Sequence, residues 1–244
     1  MADELIHTKG YTLILEWLKK RNRWPFPFQE ETWQQILRAN SGLVNAPTGC
    51  GKTYAVFLGA LIQFINENQD NWQEKNNNGL QLIWVTPLRA LAKDIGRAME
   101  EVITEMGMRW RVGIRNGDTP ASERQKQKRN MPEVLIITPE SLHLLLAQKG
   151  HADFLSTVRI IAVDEWHELL GSKRGVQVEL AISRLVTLAR KGKSGVRSQE
   201  SGVGSRESGV GSQESRVGSR ESRVGSQESG VGSQQPNAIN KTKS

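Results

Sequence analysis

The stretch Leu43–Thr53, LVNAPTGCGKT, decides how the rest of this chain reads. A short apolar run enters a loop of small residues and leaves through Lys52 and Thr53 into a helical pattern, which is how a phosphate-binding loop is built. Gly49 and Gly51 let the backbone turn its N–H groups inward around a phosphate, with Thr48 and Cys50 completing the loop. Lys52 can neutralise terminal phosphates, and the Thr53 hydroxyl can complete the coordination of Mg2+. Ala46 stands where the strict GxxxxGK[ST] pattern has its first glycine, so the strand, loop and helix context carries the reading. The competing reading is a glycine-rich turn that happens to contain Lys and Thr.

Working outward, 244 residues at 37% apolar content suffice for one domain-sized core with an appendage. The formal charge is +7. From Ser194 onward the chain holds seven Lys/Arg against five Asp/Glu, leaving an excess of five positive charges on the body. That modest excess suits phosphate-rich partners and also ordinary solubility. Cys50 is the only cysteine, which excludes an internal disulfide and a cysteine-rich metal site and fits a reducing cytoplasm. No uncharged run approaches the length of a membrane span, and MADELIHTKG lacks the apolar core of a signal peptide, so a soluble, unexported, cytoplasmic protein is expected.

Upstream of the loop, residues 3–20 carry apolar residues at helical spacing with Gly10 as the expected break. In RWPFPFQEETWQQIL, Pro25 and Pro27 impose an extended segment before Gln29 opens a helix. Beside those aromatics, Gln29 can offer both donor and acceptor to the N6/N7 edge of adenine. Taken alone it reads more readily as a polar residue at a helix N-terminus.

Downstream, TYAVFLGALIQFI is apolar on almost every side, as a helix against a sheet would be, and residues 66–79 read as a polar surface loop. Four further apolar runs, LQLIWVTP, RWRVGIRN, VLIITP and VRIIAVD, read as strands two to five after a first strand entering the phosphate loop. Their continuous apolar character, alternating with helical segments, predicts a mostly parallel sheet covered on both faces. Ligands of such sheets sit at the carboxyl ends of the strands, which would align Thr53, Thr86, Asp118, Thr138 and Asp164 along one edge. A carboxylate there is where a nucleoside triphosphatase holds Mg2+, which assigns Asp164 to the metal and Glu165 to polarising the attacking water. The isolated His7, His143 and His151 lack metal-ligand spacing.

Together these residues carry a resemblance. Gln29 in FPFQEETW, APTGCGKT, TPLRALAKD, NGDT, TPESLHLLL and DEWHELLGSKRGVQVEL, in this order, resemble the motifs of superfamily 2 DExH-box helicases, and most closely the Lhr-type, ligase-associated DNA branch. The match covers about residues 10–190. It implies an α/β fold, the first RecA-like P-loop NTPase domain of an ATP-dependent 3′-to-5′ DNA translocase and helicase, using ATP and Mg2+. By motif position it assigns Gln29 to adenine, residues 48–53 to the phosphates, and Asp164, Glu165 and His167 with Lys52 to hydrolysis. Thr86, Arg89, Asp118, Thr119, Thr138 and Ser141 would lie near the backbone of single-stranded DNA or a DNA/RNA hybrid, as polar groups at strand ends and helix starts suit. Lys173 and Arg174 join them, or form a solvated basic loop. Family association also implies a DNA-repair ligase and nuclease as partners, and no membrane.

From Ser194 the chain becomes six heptads of the form S-[GR]-V-[GR]-S-[RQ]-[EQ], then PNAINKTKS. One Val per repeat makes no a/d seam, and the Gly and Ser content predicts a disordered tail following a domain of residues 1–193. Where the tail stands, the family would continue with an SAT-type coupling motif and a second RecA-like domain. The expectation is therefore a motor truncated before its second half, unless that half arrives on another chain. The alternative is a non-catalytic fragment that binds ATP and single strands.

Overall fold

The computed structural model describes residues 3–197 apart from Thr48 and Lys149. The repeats from residue 198 onward, and with them the expected disorder of the tail, lie outside the described residues.

The N-terminal helical element is two helices, Asp3–Ile6 (α1) and Lys9–Lys20 (α2), and Thr8 caps the second by accepting from the Tyr11 N–H. The break therefore falls before Gly10, which lies in the first turn of α2. Gly10 is there for a close approach, since a Cβ would come within 2.5 Å of the Ile62 carbonyl oxygen on the helix packed against it. That helix is Lys52–Glu67 (α4), which follows Pro27–Leu37 (α3). Pro27 suits the first turn of α3, where its missing N–H would have no partner in any case.

The remainder alternates strand and helix. Leu82–Val85 (β1), Arg89–Glu105 (α5), Val112–Arg115 (β2), Ala121–Arg129 (α6), Val134–Ile137 (β3) and Pro139–Leu146 (α7) come first. His151–Leu155 (α8), Ile160–Val163 (β4), Trp166–Leu169 (α9) and Lys173–Arg197 (α10) complete the order. The four strands pair in the order β2-β3-β1-β4, every pair parallel, with Leu82 opposite both Val134 and Ile160. Because successive side chains of a strand face opposite ways, the sheet feeds two cores. Leu82, Trp84, Val134 and Ile136 pack with α2, α4 and α5, whereas Ile83, Val85, Leu135 and Ile137 pack with α7 and α10. Helices thus cover both faces, as expected for a RecA-like domain. Arg21 lashes α2 to α5, pairing with Glu101 and Glu105 while lying 4.9 Å from the centre of the Trp17 ring.

Two expectations change here. The apolar run at Leu43 forms no strand among the described residues, and Leu43 is 82% exposed. A strand needs a neighbour for its N–H and C=O groups, and the four-strand sheet does not include this run as one. Among the described residues the outer edge of β4 has no partner strand, and all four of its residues are only half-buried, unlike those of β1 and β3. The polar stretch at 66–79 is not purely a surface loop, because Trp72 is buried in the first core and Gln73 Nε2 donates to the Met106 carbonyl at 3.1 Å. The last helix, α10, runs from Lys173 to Arg197.

Candidate nucleotide and nucleic-acid edge

A parallel sheet delivers all its carboxyl ends to one edge, and each strand there hands over to a turn bearing a polar residue. The phosphate loop reaches the same edge, since the Lys52 ammonium acts on the Asp164 carboxyl at the end of β4. Gly49 and Gly51 both adopt the left-handed region, with φ of +82° and +81°. That conformation lets successive N–H groups converge on an anion, and α4 starts immediately afterwards. No atom outside the loop's immediate neighbours lies within 4 Å of where a Gly49 Cβ would be, so the loop presents open space there. Lys52 Nζ is held by the loop itself, donating to the carbonyls of Ala46 at 2.8 Å and Pro47 at 3.2 Å. Thr48 lies outside the described residues; Cys50 is a half-buried free thiol and Thr53 is half-buried on the first turn of α4.

Gln29 is tied to this loop. Its Oε1 accepts from the Phe26 N–H at 2.9 Å, closing the start of α3, and its Nε2 donates to the Gly51 carbonyl at 3.0 Å. The residue is buried; it is a helix-start polar residue, and it also contacts the phosphate loop.

At the end of β4, Asp164 and Glu165 follow in direct succession. Glu165 has φ of +48°, a left-handed conformation that a residue with a Cβ adopts at a cost, commonly at functional sites. Its N–H donates to Asp164 Oδ1 at 3.0 Å, and its Oε2 stands 3.3 Å from His167 Nδ1. Burial pushes the Asp164 carboxyl above its ordinary value and the neighbouring Glu165 charge adds to that, against the opposing pull of the Glu165 N–H and Lys52. The buried indole N–H of Trp84 makes no hydrogen bond of ordinary length, yet it is near enough to favour the ionised form of Asp164. Sequence reasoning missed Trp84; its signal was an indole in the strand next to β4. Among the described residues no group of three or more His, Cys, Asp or Glu could hold a metal on its own. One carboxylate, one hydroxyl and a phosphate loop fit Mg2+, which commonly takes few protein ligands together with phosphate oxygens.

The remaining edge residues separate into two kinds. Thr86, Thr138 and Ser141 are buried, with Thr138 Oγ1 donating to Ser141 Oγ at 3.1 Å and Thr86 Oγ1 accepting weakly from the Leu88 N–H. Their hydroxyls hold turns. Arg89 and Asp118 are exposed and face each other at 3.3 Å, and the half-buried Thr119 uses its hydroxyl within its own turn. Lys173 is exposed at the start of α10, whereas Arg174 Nε donates to Glu140 Oε1 at 2.6 Å and helps hold that carboxyl below its ordinary value. His151 packs locally between Gln148 and Arg184, and His143 is exposed. No helix among the described residues is long and apolar enough to cross a membrane.

A parallel sheet with a phosphate loop and adjacent acids on one edge defines a RecA-like P-loop domain. Comparison with known proteins narrows this. The model of the DEAD/DEAH box helicases matches residues 26–197. The chain belongs to that family. It is 36% identical over 184 residues to the Lhr helicase/uracil glycosylase of Escherichia coli, covering 71% of this chain and 12% of that protein. It is 33% identical to the ATP-dependent helicase Lhr-Core of Methanocaldococcus jannaschii, over 77% of this chain and 23% of that one. Among solved structures, the Mycobacterium smegmatis helicase Lhr bound to ssDNA and AMP-PNP matches at a TM-score of 0.61 and 36% identity, over 72% of this chain and 23% of that chain. The DUF1998 helicase MrfA bound to DNA and AMPPNP matches at 0.62 and 26%, over 78% and 25%. The chain thus spans only about 12% to 25% of the length of these four relatives.

Proposed function

We propose that this chain is the ATP-binding first motor domain of an Lhr-type, ATP-dependent DNA helicase and translocase, moving 3′ to 5′ on single-stranded DNA. The observation that carries the reading is a left-handed, open phosphate loop braced by Gln29, with its Lys52 within electrostatic reach of Asp164, which Glu165 follows at the carboxyl end of β4.

Residues 49–53 would hold the phosphates of ATP, with Thr53 and Asp164 toward Mg2+. When bound, that ion neutralises charge on the phosphate oxygens. Glu165 is fixed to accept the proton of an attacking water, and His167 beside it steadies its carboxylate. Gln29 meets the adenine edge while bracing Gly51. Arg89, Asp118 and Thr119 stand where a single strand, or the DNA strand of a hybrid, would cross the sheet edge, with Lys173 on its flank. The buried Thr86, Thr138 and Ser141 shape those turns from beneath.

Hydrolysis in motors of this kind is completed by an arginine from a second domain, worth about 10³–10⁵ in turnover. Slow turnover by this chain alone belongs to the proposal, as does a second motor domain supplied from elsewhere. So do cytoplasmic residence, residues 1–193 as the motor domain with the repeats as its tail, and a repair ligase and nuclease as working partners.

The test is coupling between the two sites. Affinity for a labelled oligo(dT) should change on adding Mg2+ and ATP, and the change should vanish in Lys52→Ala. Strand affinity indifferent to ATP in the parent chain would remove the motor reading.

A further inference from the structure

Three arginines flank the turn after β2, and one of them, Arg89, faces a carboxylate. Arg115, the last residue of β2, is 4% exposed. Its Nη2 donates to the Arg124 carbonyl at 2.8 Å, while Nε and Nη1 are buried without a partner. Arg124, on α6, donates through Nη2 to the carbonyls of Asn116 and Gly117, both at 3.1 Å, and its Nε is also buried and unpartnered. Arg89 lies across the same turn, so close that a Cβ on Gly117 would come within 2.9 Å of its Nη2. Among the described residues the only carboxylate paired with any of the three is Asp118, 3.3 Å from Arg89 and itself 75% exposed.

A guanidinium does not escape burial by losing its proton, and an uncompensated buried charge is costly. Burial and the Arg124 charge both disfavour the charged form of Arg115. The arrangement lacks an anion, and it lies at the strand carboxyl ends, where ligands of parallel sheets are found. Planar forks of N–H donors match phosphate oxygens.

We propose that Arg89 and Arg124, underlain by Arg115, form an oxyanion seat over the Asn116–Asp118 turn for one phosphate of the nucleic-acid strand, and that Asp118 competes with that phosphate for Arg89. This rests on the single-strand reading above. It assigns Arg115 and Arg124, which no sequence motif singled out, and it reverses the sign of Asp118: the carboxylate opposes the strand.

The experiment is oligo(dT) binding to the full chain across a salt titration. Arg124→Gln should weaken binding and lower the slope of log affinity against log salt by about 0.7, the share of one single-strand phosphate. Arg124→Lys should keep most of the slope, and Asp118→Asn should bind several-fold tighter than the parent. Asp118 is exposed and Arg124 half-buried, and unfolding curves of both variants confirm that they fold, so the test does not depend on an Arg115 variant. A parent chain that binds oligo(dT), with Arg124→Gln matching it in slope and Asp118→Asn no tighter, overturns the seat and leaves the strand reading standing. A parent chain that does not bind overturns both.

Discussion

Gln29 Nε2 donates to the carbonyl of Gly51 at 3.0 Å, joining the start of α3 to the left-handed glycine that begins α4. A Cβ at position 51 would come within 2.9 Å of that same nitrogen, so the contact is available to glycine alone. Gln29 thereby braces the phosphate loop, beyond the contact with adenine proposed for it. Gln29→Ala should weaken ATP and GTP binding alike, by about tenfold for the loss of a buried hydrogen-bonding bridge. Titration with both nucleotides checks this. A loss confined to ATP would mean that Gln29 reads the base and braces nothing.

Gly10 meets the backbone of Ile62 across the α2–α4 contact. Helix propensity alone favours Gly10→Ala by about 1 kcal/mol. The clash opposes it, because a carbonyl oxygen cannot rotate aside as a side chain does, and overpacking of this kind costs about 1–3 kcal/mol. Denaturant unfolding should show a net loss of stability. A gain would mean that the helices separate freely.

Tyr11 donates to Glu30 Oε1 at 2.5 Å, and its phenol is pushed up to about 12, first by burial and then by that carboxylate. Below pH 10 both folded and unfolded chains keep the proton, so this group gives stability no pH dependence. Between about pH 10 and 12 only the unfolded chain ionises, and stability falls as pH rises. Tyr11→Phe should flatten that alkaline limb in unfolding measured from pH 9 to 12. An unchanged limb would assign it to other groups.

Asp164 is a half-buried carboxyl whose proton is held more tightly in the folded chain, through partial desolvation and then the Glu165 charge beside it. Its contribution to stability is greatest below the ordinary carboxyl value and is lost as pH rises through the raised one. Asp164→Asn removes this cost, so it should raise the melting temperature at neutral pH while abolishing ATP hydrolysis. Thermal melts without nucleotide, set beside turnover, test both halves. A lower melting temperature would show that Asp164 supports the fold.

The sheet class, the two covered faces and the order of polar turns along one edge were legible because buried parallel strands leave continuous apolar runs such as LIWV, VLII and IIAV. The phosphate loop and DEWH were legible because few residue types serve phosphate and Mg2+ at that spacing. The first strand was misjudged because an apolar run signals burial only when a neighbour pairs with it, and no periodicity in LVNA reveals that neighbour. Thr86, Thr138 and Ser141 look like exposed phosphate contacts in sequence, yet a hydroxyl satisfied in its own turn can be buried. Gly10 was read as a break because sequence does not show what a glycine packs against. Arg115 gave one unused signal, a charge at the end of an otherwise apolar strand.

The loop around Lys52 is the proposed seat of ATP. Lys52 Nζ now rests on the carbonyls of Ala46 and Pro47, from which it must turn to meet a phosphate. The most direct measurement is calorimetric titration of Mg2+ and ATP into the parent chain and Lys52→Ala, with melting curves to confirm that both are folded. Saturable binding by the parent, lost at least tenfold in the variant, is the predicted result. Equal affinity in the two chains, or no binding by a folded parent, would contradict the account.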